Sequence, residues 1–515
     1  MSKKRIVSLL IALMFIVPLV QLPAAAAEAE PVELELFINH TWWPLKTWAG
    51  EVPEYITKQT GVRPVVTVAA DMQQLPLMLA SGDLPDIIYC DNTGNMQSRL
   101  ADPSLCWAWE DLTAQYKPDF QWDEERAKLY RQEDGKFYTI LNNYSTKSEL
   151  ENSPAALIGV GSPTLQRGLY EELGSPQINT LEDYFNVLLA AKEAFPDKVP
   201  AVINTNWIGM GQTSSMFLTQ YGLDYNGFSL DEATDTLQYY IYQQNRLDYY
   251  KYINALYRNG LILPENFAFN NEDESYQYAY NLECFSYIKG SSATELNSKC
   301  ADLGIESDWF DLNVALGYGS TFKIYERNVG WSGLYIAKNN SNPQKTADFL
   351  TYLFTEEGMR TAFWGIEGTH WTLHEDGYPV FIPEFNDPLW QDAVGLTEWG
   401  LLSGTWVTER LASYNPDDEF ILDKLRLSDQ AKENTVYCSA VGLVSPKADS
   451  DEQIILTKLN DMVKNEEVKL FLATSEEECE KAYSDMLARA EQLGVKDLDA
   501  WANEAYQTAK SIMED

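Results

Sequence analysis

Short apolar runs alternate with amphipathic stretches along residues 32–89. The runs VELELFI (32–38), VRPVVTV (62–68) and PDIIY (85–89) have the residue types and lengths of strands. The stretches 49–60 and 71–81 between them have helical spacing. Strands separated by helices of about ten residues are typical of a parallel sheet that is covered on both faces. The pattern therefore predicts an open α/β unit.

A second unit of the same kind is predicted after the loop at Asn142, Asn143 and Tyr144. Its predicted elements are a strand at 156–160, helices at 163–173, at 181–195 behind the N-cap Thr180 and at 246–259, strands at 282–288 and 329–337, helices at 343–354 and 356–364, and further helices to the end. Long insertions between the strands predict that the chain crosses between two lobes more than once. The predicted fold class is α/β, with two lobes, each an open sheet flanked by helices, and a helical C-terminal region.

The first 27 residues have the three-part pattern of a cleaved secretory signal. Lys3, Lys4 and Arg5 are followed by the apolar run IVSLLIALMFIV (6–17) and by four alanines before Glu28. The apolar run is shorter than the roughly 20 residues that span a bilayer. We therefore expect an exported, extracellular or envelope-associated protein whose residues 1–27 are a signal peptide.

Composition narrows the range of partners. The chain has 515 residues, of which 45% are hydrophobic, and 77 Asp and Glu stand against 38 Lys and Arg, for a net charge of −39. This charge disfavours nucleic acid, because phosphate binding requires clustered cations. The six cysteines show no CxxC motif, and we expect buried free thiols rather than a disulfide framework.

No motif predicts a metal, cofactor or nucleotide site. His370 and His374 are four apart, but glycines and Pro379 bracket them, so they are predicted to lie on turn and strand, too far apart for one ion. The EF-hand spacing, GxSxG, P-loop and GxGxxG patterns are absent, which leaves an irregular calcium site as a minor alternative. We therefore expect no catalytic residues, no metal and no cofactor.

Aromatic residues next to small polar ones are the more informative feature. The chain has 15 Trp and 30 Tyr. Many of them lie at ends of extended segments, as in Asn39–Trp43, Asn206-Trp207, Gly330-Trp331, Thr369–Trp371 and Gly404–Trp406. Such rings combine an apolar face with a polar edge, which matches the C–H face and hydroxyl rim of a pyranose. Strand ends are also where open α/β sheets bind ligands, although each single ring is more often part of a core.

Several motifs resemble those of family 1 extracellular solute-binding proteins of carbohydrate ABC importers, in particular the large oligosaccharide-binding group. The matching segments are Leu79–Ile87 (LASGDLPDI), Asn342–Leu350 with Phe354–Gly358, Trp364–Trp371 (WGIEGTHW) with Asp376-Gly377, and Leu493–Trp501 with Ala505-Tyr506. The resemblance implies a periplasmic-binding-protein-like fold, with a saccharide held between the lobes and delivered to membrane permease subunits. It implies domains at 28–142 plus about 288–330 for the N-lobe, and 143–287 plus about 331–515 for the C-lobe.

The chain departs from the family pattern at three places. No lipobox cysteine follows the apolar run, Phe195–Pro200 is too short for the calcium loop of uronate-binding relatives, and Trp42-Trp43 makes the first lobe unusually aromatic there. The first departure argues against a lipid anchor, and the second argues against a structural calcium.

The sequence thus predicts a non-enzymatic, monomeric protein that captures an oligosaccharide, with a neutral sugar favoured by the net charge. The predicted ligand-binding residues are Trp42, Trp43, Asp91, Asn92, Tyr144, Asn206, Trp207, Trp331, Glu367 and Trp371, whereas Asp86 and Gly82 are predicted to be structural. Two alternatives stay open. One is a secreted glycoside hydrolase with paired carboxylates, and the other is a surface sensor that passes its closed form to a receptor.

Overall fold

The computed structural model describes residues 30–44, 46–92, 95–154, 161–204, 212–224, 227–269, 272–289, 292–317, 321–396, 398–417, 425, 427–428 and 430–514. Its strands are β1 (Val32–Ile38), β2 (Val62–Val68), β3 (Ile87–Asp91), β4 (Thr164–Gln166), β5 (Val199–Ile203), β6 (Phe228–Asp231), β7 (Thr236–Tyr239), β8 (Cys284–Ile288), β9 (Trp309–Asp311), β10 (Ile324–Glu326), β11 (Ser332–Ile336), β12 (Trp371–Leu373), β13 (Pro379–Phe381) and β14 (Thr435–Tyr437). The predicted signal peptide, residues 1–27, and the predicted strand at 156–160 lie outside the described residues.

Helices flank these strands along the chain. The α-helices are Glu51–Thr60, Gln74–Ser81, Met96–Leu100, Trp109–Tyr116, Glu124–Ala127, Lys147–Asn152, Arg167–Glu172, Leu181–Ala194, Gln212–Gln220, Arg246–Arg258, Glu272–Tyr280, Ala293–Asp302, Pro343–Leu353, Glu356–Trp364, Pro388–Val394, Trp406–Leu411, Ser439–Gly442, Asp451–Phe471, Glu476–Gln492 and Val495–Glu514. Short 3₁₀ helices are Lys128–Tyr130, Tyr240–Tyr242, Pro264–Phe267, Pro383–Asn386 and Glu398–Leu402. No helix within these described ranges is both long enough and apolar enough to cross a membrane.

The first sheet confirms the predicted parallel α/β unit. Its strand order is β11-β3-β1-β2, in which β1 pairs in parallel with β2 and β3. Strand β11 pairs antiparallel with β3, so that Leu334 lies opposite Tyr89. Successive residues of β1 face opposite cores: Leu36 and Ile38 enter one hydrophobic cluster and Phe37 enters another. Both faces of this sheet are therefore buried, as expected for parallel strands with helical crossovers.

The segment around Gly82 and Asp86 has the structural role that the sequence predicts. Gly82 ends the helix Gln74–Ser81 with φ of 73°, a left-handed conformation that glycine adopts without strain. The buried Asp86 carboxylate accepts the backbone N–H groups of Glu35 at 2.9 Å and Ser341 at 2.6 Å. These bonds connect β1 to the turn after β11, so the carboxylate holds the first sheet together.

The second sheet has the order β5-β8-β4-β9. The predicted helix at 181–195 is confirmed, because Thr180 and Asp183 form a reciprocal capping box at the start of Leu181–Ala194. The predicted helix at 163–173 is wrong over its first half. Residues Thr164–Gln166 form β4 instead, and only Arg167–Glu172 is helical. Strand β4 is buried between β8 and β9, and this pairing outweighs its local preference.

The sheets divide the chain differently from the predicted lobe boundaries. Strand β11 was expected in the C-lobe but completes the first sheet, and β9 was expected in the N-lobe but lies in the second sheet. Helix Pro343–Leu353 also packs in the core of the first sheet. The predicted helical C-terminal region is confirmed: its three long helices pack on the core of the second sheet. All six cysteines are free and buried.

A buried carboxylate in the second core makes stability depend on pH. Glu467, on helix Asp451–Phe471, is 2% exposed, and Tyr250 donates its hydroxyl proton to Oε1 at 2.5 Å. Burial raises the pKa of Glu467 to about 7, although the Tyr250 hydrogen bond and the charge of Arg246 oppose the shift. The folded protein therefore keeps this proton at a pH where the unfolded chain, with an ordinary glutamate pKa near 4.5, has lost it.

We expect the contribution of Glu467 to the free energy of unfolding to fall by roughly 3 kcal/mol as pH rises from about 4.5 to about 7, and to stay constant above that. Urea unfolding followed at several pH values measures this loss. Glu467→Gln keeps an acceptor for Tyr250 and should remove that part of the pH dependence. A variant with the wild-type pH profile would show that another group is responsible.

Candidate ligand-binding site

The loops after β1 and β3 diverge at one edge of the first sheet. The crossover from β1 leads to β2 on one side, and the next crossover leads to β3 on the other side of β1. Such a reversal of strand order leaves a crevice at the carboxyl ends of the strands, where open α/β sheets bind ligands. Because β11 is antiparallel to β3, its first residues reach the same edge. Residues 39–43, 91–92 and 331–332 therefore meet there.

Two tryptophans and a buried histidine form an aromatic cluster at this edge. The rings of Trp42 and Trp331 lie 6.1 Å apart between centroids, and His40 lies 5.2 Å from Trp42 and 5.4 Å from Trp331. Trp42 is 53% exposed, whereas His40 is only 2% exposed. The structure thus brings together two predicted ligand residues, Trp42 and Trp331, that are 289 positions apart in the sequence.

A hydrogen bond connects this cluster to the first residue of β11. His40 Nε2 and the Ser332 hydroxyl lie 2.9 Å apart. Burial lowers the pKa of His40, and the nearby carboxylate of Asp91 opposes this shift. The imidazole is therefore neutral at pH 7 and serves as a hydrogen-bonding group. His40 was not among the predicted ligand residues, although its position between Asn39 and Trp42 was the available signal.

Three predicted ligand residues are buried in cores. Trp43 is 1% exposed and lies 5.7 Å from Trp399, and Tyr144 is 4% exposed in the same hydrophobic cluster. Burial raises the pKa of the Tyr144 hydroxyl to about 12. Trp371 is 3% exposed and donates its indole N–H to the Gly365 carbonyl at 2.9 Å. Since protein atoms cover these rings, we leave all three out of the proposed site.

The other predicted residues are dispersed. Asn92 follows β3 at the site edge and donates to the Ser445 hydroxyl at 3.5 Å. Glu367 is exposed, and its charge acts on Tyr55, which belongs to the outer helix Glu51–Thr60. Asn206 and Trp207 lie outside the described residues; they follow β5, a strand of the second sheet. The structure thus joins Asp91 and Asn92 to the aromatic cluster but not Glu367.

A polar group that the sequence prediction missed lies beside the cluster. It belongs to the segments 142–146 and 401–411, which contact each other and are called the crossing segments below. Asn143 Nδ2 donates to Glu409 at 2.7 Å. Glu409 also acts electrostatically on Tyr89, whose ring joins the aromatic cluster at 5.2 Å from His40 and 6.5 Å from Trp331. The guanidinium carbon of Arg410 lies 3.9 Å from the ring centroid of Trp406, one turn away on the same helix. Burial raises the pKa of Glu409 and lowers that of Arg410. The Gly404–Trp406 segment was the only sequence signal for this group.

The site combines apolar ring faces with hydrogen-bonding groups. Its groups are ring faces, amides, hydroxyls and carboxylates, which suit the apolar face and polar rim of a sugar. Among the residues that the structure describes, no three His, Cys, Asp or Glu side chains converge as metal ligands.

Sequence comparisons give no assignment, because no protein-family model matches the chain and no curated protein matches it. Solved structures do share its fold. The alginate-binding protein AlgQ2, without calcium ion, has a TM-score of 0.67 at 16% identity, over 93% of this chain and 98% of that one. The S. pneumoniae ABC-transporter substrate-binding protein FusA, in complex with kestose, has a TM-score of 0.66 at 18% identity, over 93% and 99%. An HMO-binding, ABC-transporter-associated solute-binding protein from Bifidobacterium longum infantis has a TM-score of 0.63 at 12% identity, over 92% and 98%.

These similarities extend over nearly the full length of each chain. The predicted fold class, an α/β architecture of the solute-binding-protein type with a helical C-terminal region, is therefore confirmed.

Proposed function

We propose that this chain is an exported solute-binding protein that captures an oligosaccharide and delivers it to the membrane permease subunits of an ABC transporter. The aromatic cluster at the switch point of the first sheet is the observation that carries the proposal. Trp42 and Trp331 present two ring faces there, and Asp91 and Asn92 supply polar groups at the same edge. A ring face beside carboxylate and amide groups matches the apolar face and hydroxyl rim of a pyranose.

The structures that share the fold support this proposal. Their names describe binding of alginate, of kestose and of HMO, and two of them are assigned to ABC transporters. These names describe binding proteins rather than enzymes, which favours capture over hydrolysis. We further propose that the protein acts as a monomer outside the cytoplasmic membrane. A sensor that presents the same closed form to a receptor would use the same site.

The charges around the site favour a neutral sugar. The carboxylates of Asp91, Glu326 and Glu409 lie around the cluster and the crossing segments, with two guanidiniums among them, those of Arg410 and of Arg126, which donates to the Leu141 and Ser403 carbonyls. The nearby Arg327 is already paired with Asp224 at 2.8 Å. A uronate would therefore meet more negative than positive charge, whereas hydroxyl groups can donate to the carboxylates and accept from Arg410.

Isothermal titration of the mature chain with kestose, maltotriose and an alginate trisaccharide tests the proposal. We expect saturable one-to-one binding of a neutral sugar, because the site is lined by ring faces and carboxylates. Heat that continues beyond saturation, together with shorter products on chromatography, would instead identify a hydrolase. Exclusive binding of the alginate trisaccharide would contradict the neutral class, and an absence of heat with a broad glycan panel would contradict sugar capture.

Polar contacts also join the two units beside the site, and we expect them to influence affinity. The segment 445–449, which follows the second core, reaches the first unit through a Lys447–Glu133 ion pair and an Arg99–Asp449 pair at 3.8 Å. Ligands that contact both lobes shift the equilibrium between open and closed forms. Contacts that exist only when the lobes are together therefore add to sugar affinity.

We expect Lys447→Glu to lower sugar affinity by at most about fivefold, because exposed ion pairs contribute little. Adding Glu133→Lys should restore the affinity, and the difference should shrink as salt screens the pair. Lys481→Glu is the matched control, since the exposed Lys481 pairs with the exposed Asp485 within a single helix. If the reversal at Lys481 has the same effect as the one at Lys447, net charge rather than the interlobe pair sets the affinity.

A further inference from the structure

Asn142 is a fully buried amide at the point where two crossing segments meet the first sheet. Its Oδ1 accepts the backbone N–H groups of Ser332 at 3.0 Å and Trp331 at 3.4 Å. Its Nδ2 donates to the Tyr89 hydroxyl at 3.0 Å, and its backbone N–H donates to the Ser332 carbonyl at 2.8 Å. The Tyr89 hydroxyl donates in turn to the Leu401 carbonyl at 2.8 Å.

These bonds restrict the positions of the exposed Trp42 and the half-buried Trp331. Asn142 binds the backbone of Trp331 directly. It reaches Trp42 through Ser332, whose hydroxyl contacts His40, the ring that packs against Trp42. A buried hydrogen-bond network with every partner present restricts the groups that it holds to one arrangement.

The neighbouring residues connect the same amide to the second crossing segment. Asn143, next in the chain, donates its backbone N–H to the Gly404 carbonyl at 2.8 Å and its side chain to Glu409. Gly330 approaches so closely, at φ of 76°, that a Cβ atom there would overlap the Asn142 carbonyl oxygen. The backbone at Asn142 is therefore enclosed by both crossing segments.

We propose that Asn142 is a positioning residue, which touches no ligand but fixes the orientation of Trp331 and Trp42 for sugar binding. This inference rests on the proposed function of the site. It also implies that movement of the crossing segments during lobe closure is transmitted to the ring faces that hold the sugar.

Asn142→Leu tests this directly, since leucine has a similar volume but makes none of the side-chain hydrogen bonds. We expect at least a tenfold loss of affinity for whichever sugar of the kestose, maltotriose and alginate panel the wild type binds. The matched control is Asn254→Leu. Asn254 is also fully buried and donates to Phe471 and Ala473 carbonyls at 3.1 and 2.7 Å, but in the second core. The control should lose stability and keep its affinity.

A readout that needs no sugar separates positioning from general damage. In protein labelled with 5-fluorotryptophan, we expect Asn142→Leu to shift or broaden the ¹⁹F lines of Trp331 and Trp42, with the line of Trp109 unchanged. Unchanged lines together with affinity within twofold of the wild type would overturn the proposal. If the wild type binds no panel sugar, the proposed function fails, whereas the ¹⁹F lines still decide the role of Asn142.

A milder variant keeps the test valid if Asn142→Leu does not fold. Ser332→Ala removes only the hydroxyl that contacts His40. We expect it to shift the Trp42 line more than the Trp331 line, because the backbone bonds from Asn142 to Trp331 and Ser332 persist. Equal or absent effects on the two lines would contradict the proposed connection.

Discussion

Trp331→Ala is expected to weaken oligosaccharide binding by at least about 30-fold. Truncation of a tryptophan at the centre of a binding surface typically costs about 2 kcal/mol or more, and each 1.4 kcal/mol is a factor of ten. Trp331 occupies the middle of the cluster, within 6.5 Å of Trp42, His40 and Tyr89 between ring centroids. Isothermal titration with the sugar that the wild type binds measures the loss.

Trp42→Ala should also lower the oligosaccharide affinity. Its effect on folding should be smaller, because the Trp42 ring is 53% exposed. We expect the free energy of unfolding of this variant to stay within about 0.5 kcal/mol of the wild type. Trp107→Ala is the control: Trp107 lies at the opposite end of the first sheet, where its backbone N–H donates to the Ile336 carbonyl and its ring contacts Lys338. Loss of affinity in the Trp107 variant alone would place the sugar site elsewhere.

Trp371→Ala is expected to lower the free energy of unfolding by about 3–5 kcal/mol, the usual cost of removing a buried tryptophan. Its ring packs against Trp364 at 5.0 Å between centroids, and its indole N–H is bonded to Gly365. The sugar affinity of the folded variant should stay close to that of the wild type. Urea unfolding measures the first effect and titration at low temperature measures the second.

Trp371→Phe serves as the control for this pair of measurements, because it keeps an aromatic ring in the same core and loses the hydrogen bond. We expect a smaller loss of stability than for Trp371→Ala. An affinity loss in the phenylalanine variant, at unchanged fold, would return Trp371 to the ligand site as the sequence first predicted.

The neighbouring tryptophans Trp42 and Trp43 show which features of the site local sequence can predict and which it cannot. Trp42 and Trp43 are adjacent, and their local patterns are indistinguishable. In the structure Trp42 is exposed at the sheet edge, whereas Trp43 packs against Trp399, which is more than 350 positions later in the chain. Local sequence identifies aromatic residues at strand ends, but which ring faces solvent depends on neighbours that are distant in sequence.

Long-range pairing also explains the errors in the fold. The segment at 163–173 was predicted as a helix, but its first part forms the three-residue strand β4, whose partners β8 and β9 are more than 100 positions away. Strand β11 was expected in the C-lobe, yet it returns to the first sheet and pairs with β3. The periodicity of a segment can identify a helix or a strand, but it does not identify the strand with which that segment pairs.

The sequence by itself determined the parallel β1–β3 part of the first α/β unit, the capped helix after Thr180, the structural role of Asp86 and the presence of aromatic rings at strand ends. These features depend on periodicity, capping and turn chemistry, which act over a few residues. Only the tertiary structure decided that Trp42, Trp331 and His40 share one crevice and that Asn142 holds them there. Those contacts form only when segments far apart in the chain come together. Ordering the chain in this way costs conformational entropy, which the burial of apolar surface across the whole fold offsets, and no local pattern encodes that burial.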